Sequence, residues 1–260
     1  MLKHLSFVLA YIKYRFNCIN KYGIHSPYFF NWAQIILYDC NPYPVYETIK
    51  KTRRNLIHSK QTINVTDFGT GTSHTKTKKV SSIAKRAAKP HKYGALLFKM
   101  AAFHKPQCMI ELGTSLGLSA AYQALARPKA SVTTLEGCPQ TALIASQTFE
   151  QLQIKNIKII TGNFDQTFEQ VLTQQPKVDW IFFDGNHTYE ATMRYFKQAL
   201  PYVHAKTVFV FDDINWSTGM KQAWLEIKNH SSVKATVDVF ALGIVFFEDA
   251  FSKQHFVLKY

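Results

Sequence analysis

From Pro106 onward, short apolar runs ending in an acid or a glycine alternate with longer stretches of helix-forming residues. The runs are "CMIELG", "SVTTLEG", "NIKIITGN", "VDWIFFDG" and "TVFVFDD". The stretches that follow them are "LGLSAAYQALA", "PQTALIASQTFEQL", "FDQTFEQVLTQQ", "TYEATMRYFKQAL" and "GMKQAWLEIKNH". This rhythm constrains the fold more than anything else in the chain. Parallel strands need a crossover, and a helix of this length is the compact way to make one. The runs are apolar throughout, as expected when helices cover both faces of a sheet. The ending breaks the rhythm. "VKATVDVF" and "GIVFFE" are separated by only "ALG", too short for a crossover, so they predict an antiparallel hairpin. "HFVLKY" is a candidate for one more edge strand. The expected core is therefore an α/β, doubly wound, seven-stranded, mostly parallel sheet with a C-terminal antiparallel hairpin.

The first 104 residues read as a separate, mainly helical extension to a domain spanning 105–260. "HLSFVLAYIKYRF", "SPYFFNWAQIILYD" and "HKYGALLFKMAAF" have helical patterns, "YDCNPYPVYE" is a Pro-rich break, and "TKTKKVSSIAKRAAKPHK" is a basic segment around a helix. Charge divides the same way. Up to Lys105 there are 18 Lys/Arg against 3 Asp/Glu, and from Pro106 there are 13 against 14, within a net charge of +14. A basic piece suits an anionic partner (nucleic acid, a phosphorylated substrate or a membrane surface) or simply keeps the chain in solution. No apolar run approaches the roughly 20 residues of a transmembrane helix. The N-terminus lacks a small-residue cleavage site. Cys18, Cys40, Cys108 and Cys138 are widely spaced, which fits free thiols in a reducing cytoplasm.

Two stretches compete as a ligand-holding loop, "VTDFGTGTSHT" and "MIELGTSLGLSAA". Such a loop must feed a helix, and the next strand should end in an acid roughly 20 residues on. The second stretch qualifies, because its helix follows directly and the next strand ends at Glu136, 25 residues after Glu111. The first does not, because the next carboxylate after Asp67 is Glu111 itself. The glycines, Gly113-x-x-x-Gly117, lack the dinucleotide spacing, and Glu111 beside them would repel a pyrophosphate yet suit an amino group. On these residues, with the acid at the end of the second strand and the terminal hairpin, the chain from about Lys105 to Tyr260 resembles the class I S-adenosylmethionine-dependent methyltransferases of Rossmann-like fold. The resemblance implies that Glu111, Gly113, Thr114 and Gly117 surround the methionine part of the cofactor. It implies that Glu136 holds the ribose, and that Gly162, Asn163 and Phe164 lie near the adenine.

Further acids end the fourth and fifth strands, Asp184 in "FFDGNHTYE" and Asp212–Asp213 in "VFVFDDINWS". Carboxylates converging without a counter-charge repel one another, and a hard cation such as Mg²⁺ resolves that. The pattern is similar to metal-dependent O-methyltransferases. This resemblance implies that Asp184, Asp212 and Asp213 bind Mg²⁺, with Asp184 also beside the cofactor. His187 stands where catechol-type enzymes carry a lysine base, and a neutral imidazole is a competent proton acceptor. The expected activity is in-line methyl transfer to a small hydroxylated acceptor, neutral or anionic, with His187 and Asp184 as catalytic residues. The aromatic stretch "KYGIHSPYFFNW" serves helix packing, a pocket wall or a homodimer interface, and "DFGTGTSHTKTKKVSSIAKR" serves as a lid over the site or as a plain surface loop. Two alternatives stand beside this reading: an RNA methyltransferase using the basic N-terminal piece, and a non-catalytic cofactor-binding scaffold.

Overall fold

The computed structural model describes residues 2–67, 74–86 and 89–260. In chain order the elements are α1 (Leu2–Asn17), α2 (Pro27–Ile36), α3 (Pro44–His58), β1 (Thr62–Asp67), β2 (His74–Lys79), α4 (Val80–Arg86) and α5 (His91–His104). Then come β3 (Cys108–Leu112), α6 (Leu118–Ala126), β4 (Ser131–Glu136), α7 (Pro139–Gln151), β5 (Ile157–Thr161), α8 (Phe164–Thr173), β6 (Trp180–Phe183), α9 (Tyr189–Ala199), β7 (Val208–Asp212), α10 (Thr218–Asn229), β8 (Ala235–Asp238), β9 (Leu242–Phe246) and β10 (Gln254–Val257). The strand–helix alternation read from the sequence is thus present from β3 to α10. Eight strands make up the mixed α/β core, in the order β10-β8-β9-β7-β6 in one compact unit and β3-β4-β5 in the other. The eighth, β10, is the "HFVLKY" segment, which lies at the edge and pairs parallel to β8. β9 runs antiparallel to both β7 and β8, as the three-residue "ALG" connection requires.

The chain divides into two compact units. One comprises residues 39–174. In it β3 and β4 pair in parallel with Glu111 opposite Thr134, and β4 pairs in parallel with β5. Tyr46 and Ile49 of α3, Phe98 of α5, Leu118 and Tyr122 of α6, and Phe149 of α7 share a core on these strands. Pro44 and Pro139 occupy first-turn positions of α3 and α7, where the missing N–H costs nothing. This unit also holds a two-stranded hairpin that the sequence reading did not contain, with β1 antiparallel to β2 and Ile63 opposite Lys78. Ile63 is buried with Val80, Ile83, Ala84, Leu116 and Ile144.

The other unit comprises residues 1–38 and 175–260. β6, β7 and β9 are buried along their whole length. Phe183 and Phe211 stack across β6 and β7 with ring centres 4.3 Å apart. α1 is fastened to the chain's end, where the Tyr14 hydroxyl donates to the carbonyl of Leu258 at 2.6 Å. The rings of Phe7, Tyr11 and Tyr14 pack on Phe240 at the β8–β9 turn. Among the described residues no disulfide forms, and no helix is long and apolar enough to cross a membrane.

Candidate active site

In open α/β sheets, ligands lie off the carboxyl ends of the strands. In the unit of residues 39–174, the β3–α6 turn is built there from strained backbone. Gly113, Ser115 and Gly117 all have positive φ, at 103°, 49° and 82°. The amides of Gly113 and Thr114 both donate to the carbonyl of Leu135, which ties the turn to β4. A Cβ at Gly117 would lie 2.7 Å from the Phe149 ring and 3.3 Å from the Ala145 backbone. Gly117→Ala is therefore expected to cost about 1–3 kcal/mol through crowding and backbone strain. Urea unfolding checks this, and an unchanged midpoint would count against it.

Glu136 ends β4 and holds the turn by its side chain. One carboxylate oxygen accepts from the Ser115 amide at 2.8 Å, and the other from the Cys138 amide at 2.9 Å. Gly162 (φ 150°) donates its amide to the Glu136 carbonyl, and a Cβ there would meet Thr167 at 2.8 Å. Asn163 caps α8 by accepting from the Asp165 amide, and Phe164 beside it is half-buried.

Glu111 and Thr114 are fully buried. Glu111 accepts from Gln123 Nε2 at 2.9 Å and from Thr134 Oγ1 at 2.6 Å. Thr134 Oγ1 also lies 2.6 Å from Thr114 Oγ1. The Thr134 proton goes to the carboxylate, so Thr114 must donate to Thr134. Burial pushes the Glu111 pKa up to about 7, although Thr134, Ser119 and Gln123 hydrogen bonds favour the charged form. The chain Thr114–Thr134–Glu111–Gln123 braces the turn from beneath. Ser115, Thr134 and Gln123 are the residues that sequence reasoning missed.

The hairpin docks beside the same turn. The Asn64 amide donates to Gln140 Oε1, and Cys138 Sγ donates to the Asn64 carbonyl at 3.3 Å. Lys76, Lys78 and Lys79 are exposed on β2. The glycine-rich tip expected to form a lid lies outside the described residues.

In the unit of residues 1–38 and 175–260, a second group sits at the ends of β6 and β7. One ligand atom each from Asp184, His187 and Asp212 lie within 4.8 Å of one another. Asp212 is buried, while Asp184 and His187 are half-buried, with His187 Nε2 3.7 Å from Asp184 Oδ1. Local turns set this up. Asn186 takes a left-handed backbone (φ 51°), and Thr188 caps α9 by accepting from the Ala191 amide. Asp213 lies outside the group. Its backbone is also left-handed (φ 53°), and its carbonyl accepts from the Trp216 amide. Trp216 is exposed and meets the Phe7 ring edge-on at 6.0 Å.

Residues 110–214 match the family model for a methyltransferase domain. These residues contain both the braced turn and the acidic group. Over this stretch the chain is similar to a methyltransferase domain. Solved structures share the fold of this chain. A methyltransferase of Podospora anserina bound to S-adenosylhomocysteine superposes with a TM-score of 0.61 at 15% identity, over 87% of this chain and 97% of that one. The O-methyltransferase TomG of Streptomyces achromogenes, involved in tomaymycin synthesis and bound to S-adenosylmethionine, gives 0.58 at 14% identity, over 84% and 97%. An O-methyltransferase of Bacillus cereus in complex with S-adenosylhomocysteine gives 0.56 at 17% identity, over 83% and 96%. No curated protein matches the chain.

Proposed function

We propose that the chain is a class I S-adenosylmethionine-dependent methyltransferase that methylates a hydroxyl oxygen of a small acceptor, with Mg²⁺ at Asp184 and Asp212. The convergence of Asp184, His187 and Asp212 at two strand ends carries the reading. Two carboxylates fit a hard cation that otherwise keeps water or substrate oxygens. Imidazole is a poor partner for Mg²⁺, which leaves His187 available for proton transfer. Asp213 was expected as a third ligand, and its place outside the group leaves Asp184 and Asp212 to hold the ion.

S-adenosylmethionine, when bound, supplies a sulfonium methyl group to the acceptor oxygen. Mg²⁺, when bound, supplies positive charge that lowers the acceptor hydroxyl's pKa. The chain's own residues do the rest. Glu136, at the end of β4, accepts the ribose hydroxyls. The braced turn of Gly113, Thr114 and Gly117 keeps its backbone open to the methionine part, and Glu111 holds that turn from below rather than touching the ligand. Gly162, Asn163 and Phe164 border the adenine. His187 takes the hydroxyl proton at Nε2. Residues 105–260 form the catalytic domain in this reading, residues 1–104 supply acceptor specificity, and the free thiols of Cys18, Cys40, Cys108 and Cys138 suit a reducing, cytoplasmic setting.

Calorimetric titration of S-adenosylmethionine tests the cofactor half. Micromolar binding is expected, weakened by about 10–100-fold in Glu136→Ala, which removes charge-assisted hydrogen bonds to the ligand and to the turn. Equal affinity in the variant would remove Glu136 from the site. Methyl transfer to a panel of hydroxylated acceptors, with Mg²⁺ and with EDTA, tests the other half, and activity that EDTA leaves intact would remove the metal.

A further inference from the structure

We infer that α1 is a docking helix that lies in the plane of an anionic lipid surface. One face of α1 packs on its own unit through Phe7, Tyr11 and Tyr14 against Phe240, and through the Tyr14–Leu258 hydrogen bond. The opposite face is apolar and open. Val8, Ile12 and Phe16 recur every four residues with Leu9 beside them, so they share one side of the helix. They are 50%, 45%, 85% and 57% exposed in the order named. A helix with one packed face normally turns polar residues outward, and α1 does not.

Charge decides what covers this face. Arg15 and Lys13, both exposed, fall on its two borders, one on each side of the apolar strip. Residues 1–38 contain four Lys/Arg and no Asp or Glu. A second copy of the chain seated on the same face would pair like with like. It would bring Lys13 and Arg15 against their own counterparts, with no carboxylate in residues 1–38 to offset them. An anionic lipid surface supplies the missing counter-charge along both borders and an apolar layer for the strip between them. At 16 residues, α1 lies on such a surface rather than across it. The inference is independent of the methyl-transfer reading.

Sedimentation of the full chain with lipid vesicles tests it. Phosphatidylcholine–phosphatidylglycerol vesicles are expected to bind the protein at least about tenfold more tightly than phosphatidylcholine alone, with the difference collapsing in about 0.5 M salt. The double variant Leu9→Ser/Phe16→Ser is expected to lose about tenfold or more of that affinity. Its unfolding midpoint should be unchanged, because both side chains are exposed. A second variant, Lys13→Gln/Arg15→Gln, is expected to weaken binding to the anionic vesicles only. No preference for anionic vesicles overturns the inference, as does full binding by the Leu9→Ser/Phe16→Ser chain. A wild-type dimer in light scattering that this variant splits, without vesicle binding, assigns the face to a second copy instead.

Discussion

His187→Ala is expected to lower kcat for methyl transfer by about 10²–10⁴-fold, the usual contribution of a positioned general base, while leaving the Mg²⁺ concentration for half-activation unchanged. Nε2 of His187 lies 3.7 Å from Asp184 Oδ1, so the imidazole stands at the edge of the carboxylate pair. An acceptor hydroxyl held there would present its proton to the ring. The competing role for the imidazole is as a ligand, since one of its nitrogens belongs to the group within 4.8 Å. Two measurements separate the roles. A lost base hurts most when the acceptor hydroxyl is weakly acidic, so the deficit should shrink across acceptors of falling pKa. A lost ligand shifts the metal requirement and hurts all acceptors alike. A constant deficit accompanied by a raised Mg²⁺ requirement would make His187 a ligand, and a softer divalent ion would then be the better candidate.

The parts of this fold legible in the sequence are those whose signal is local. Strands β3 to β7 announce themselves by short apolar runs, and the helices between them by composition. The acids at their ends are visible as letters. α3 was hidden because Pro42 and Pro44 in "YDCNPYPVYE" read as a break, although Tyr46, Ile49 and Thr52 are spaced as one buried helical face. Pro44 starts the helix rather than interrupting anything. The β1–β2 hairpin was hidden for another reason. Lysines and threonines alternate in "HTKTKK", and only the docking of Ile63 against Leu116 and Ile144 gives that polar strand a reason to exist. The strand that leads into the stretch rejected as a cofactor loop docks beside the turn that was accepted, through Ile63 on Leu116 and Asn64 on Cys138.

The site was legible as far as single residues go, but its bracing was not. Glu111 was expected beside the ligand, and it is buried beneath the turn with both oxygens engaged. Its partner Thr134 sits directly opposite it on the neighbouring strand, a fact that exists only once the parallel register is known. Gln123 reaches the same carboxylate from α6 across one turn of helix beyond Ser119. Asp212 and Asp213 are adjacent letters of the same type. Only the left-handed backbone at Asp213 tells them apart, leaving one in the group and one outside it.

Glu111→Gln is expected to stabilise the protein at about pH 8 by roughly 3 kcal/mol and to remove a pH dependence that the natural chain shows. Burial raises the Glu111 pKa from 4.5 to about 7. The folded chain therefore holds a proton that the unfolded chain releases as pH rises from about 4.5 to about 7. Across that window the unfolded state binds fewer protons, so stability falls with rising pH, and above about 7 the full cost of the buried charge persists. An amide carries no charge and avoids that cost. It also keeps the hydrogen bonds, because Thr134 can reverse its hydroxyl. In the natural chain Thr134 donates to Glu111 and receives from Thr114. Opposite an amide it receives from Gln and donates to Thr114, while Gln123 still donates to the remaining oxygen. Urea unfolding of both chains without cofactor, between about pH 4 and pH 8, checks the prediction. The gap should be near zero at the acidic end and should open steadily toward neutrality. Parallel stability curves would mean that the bracing network already neutralises the cost of the carboxylate. A variant less stable at pH 8 would mean that the charge itself holds the turn in place, and that the strain at Gly113, Ser115 and Gly117 is maintained electrostatically rather than by packing.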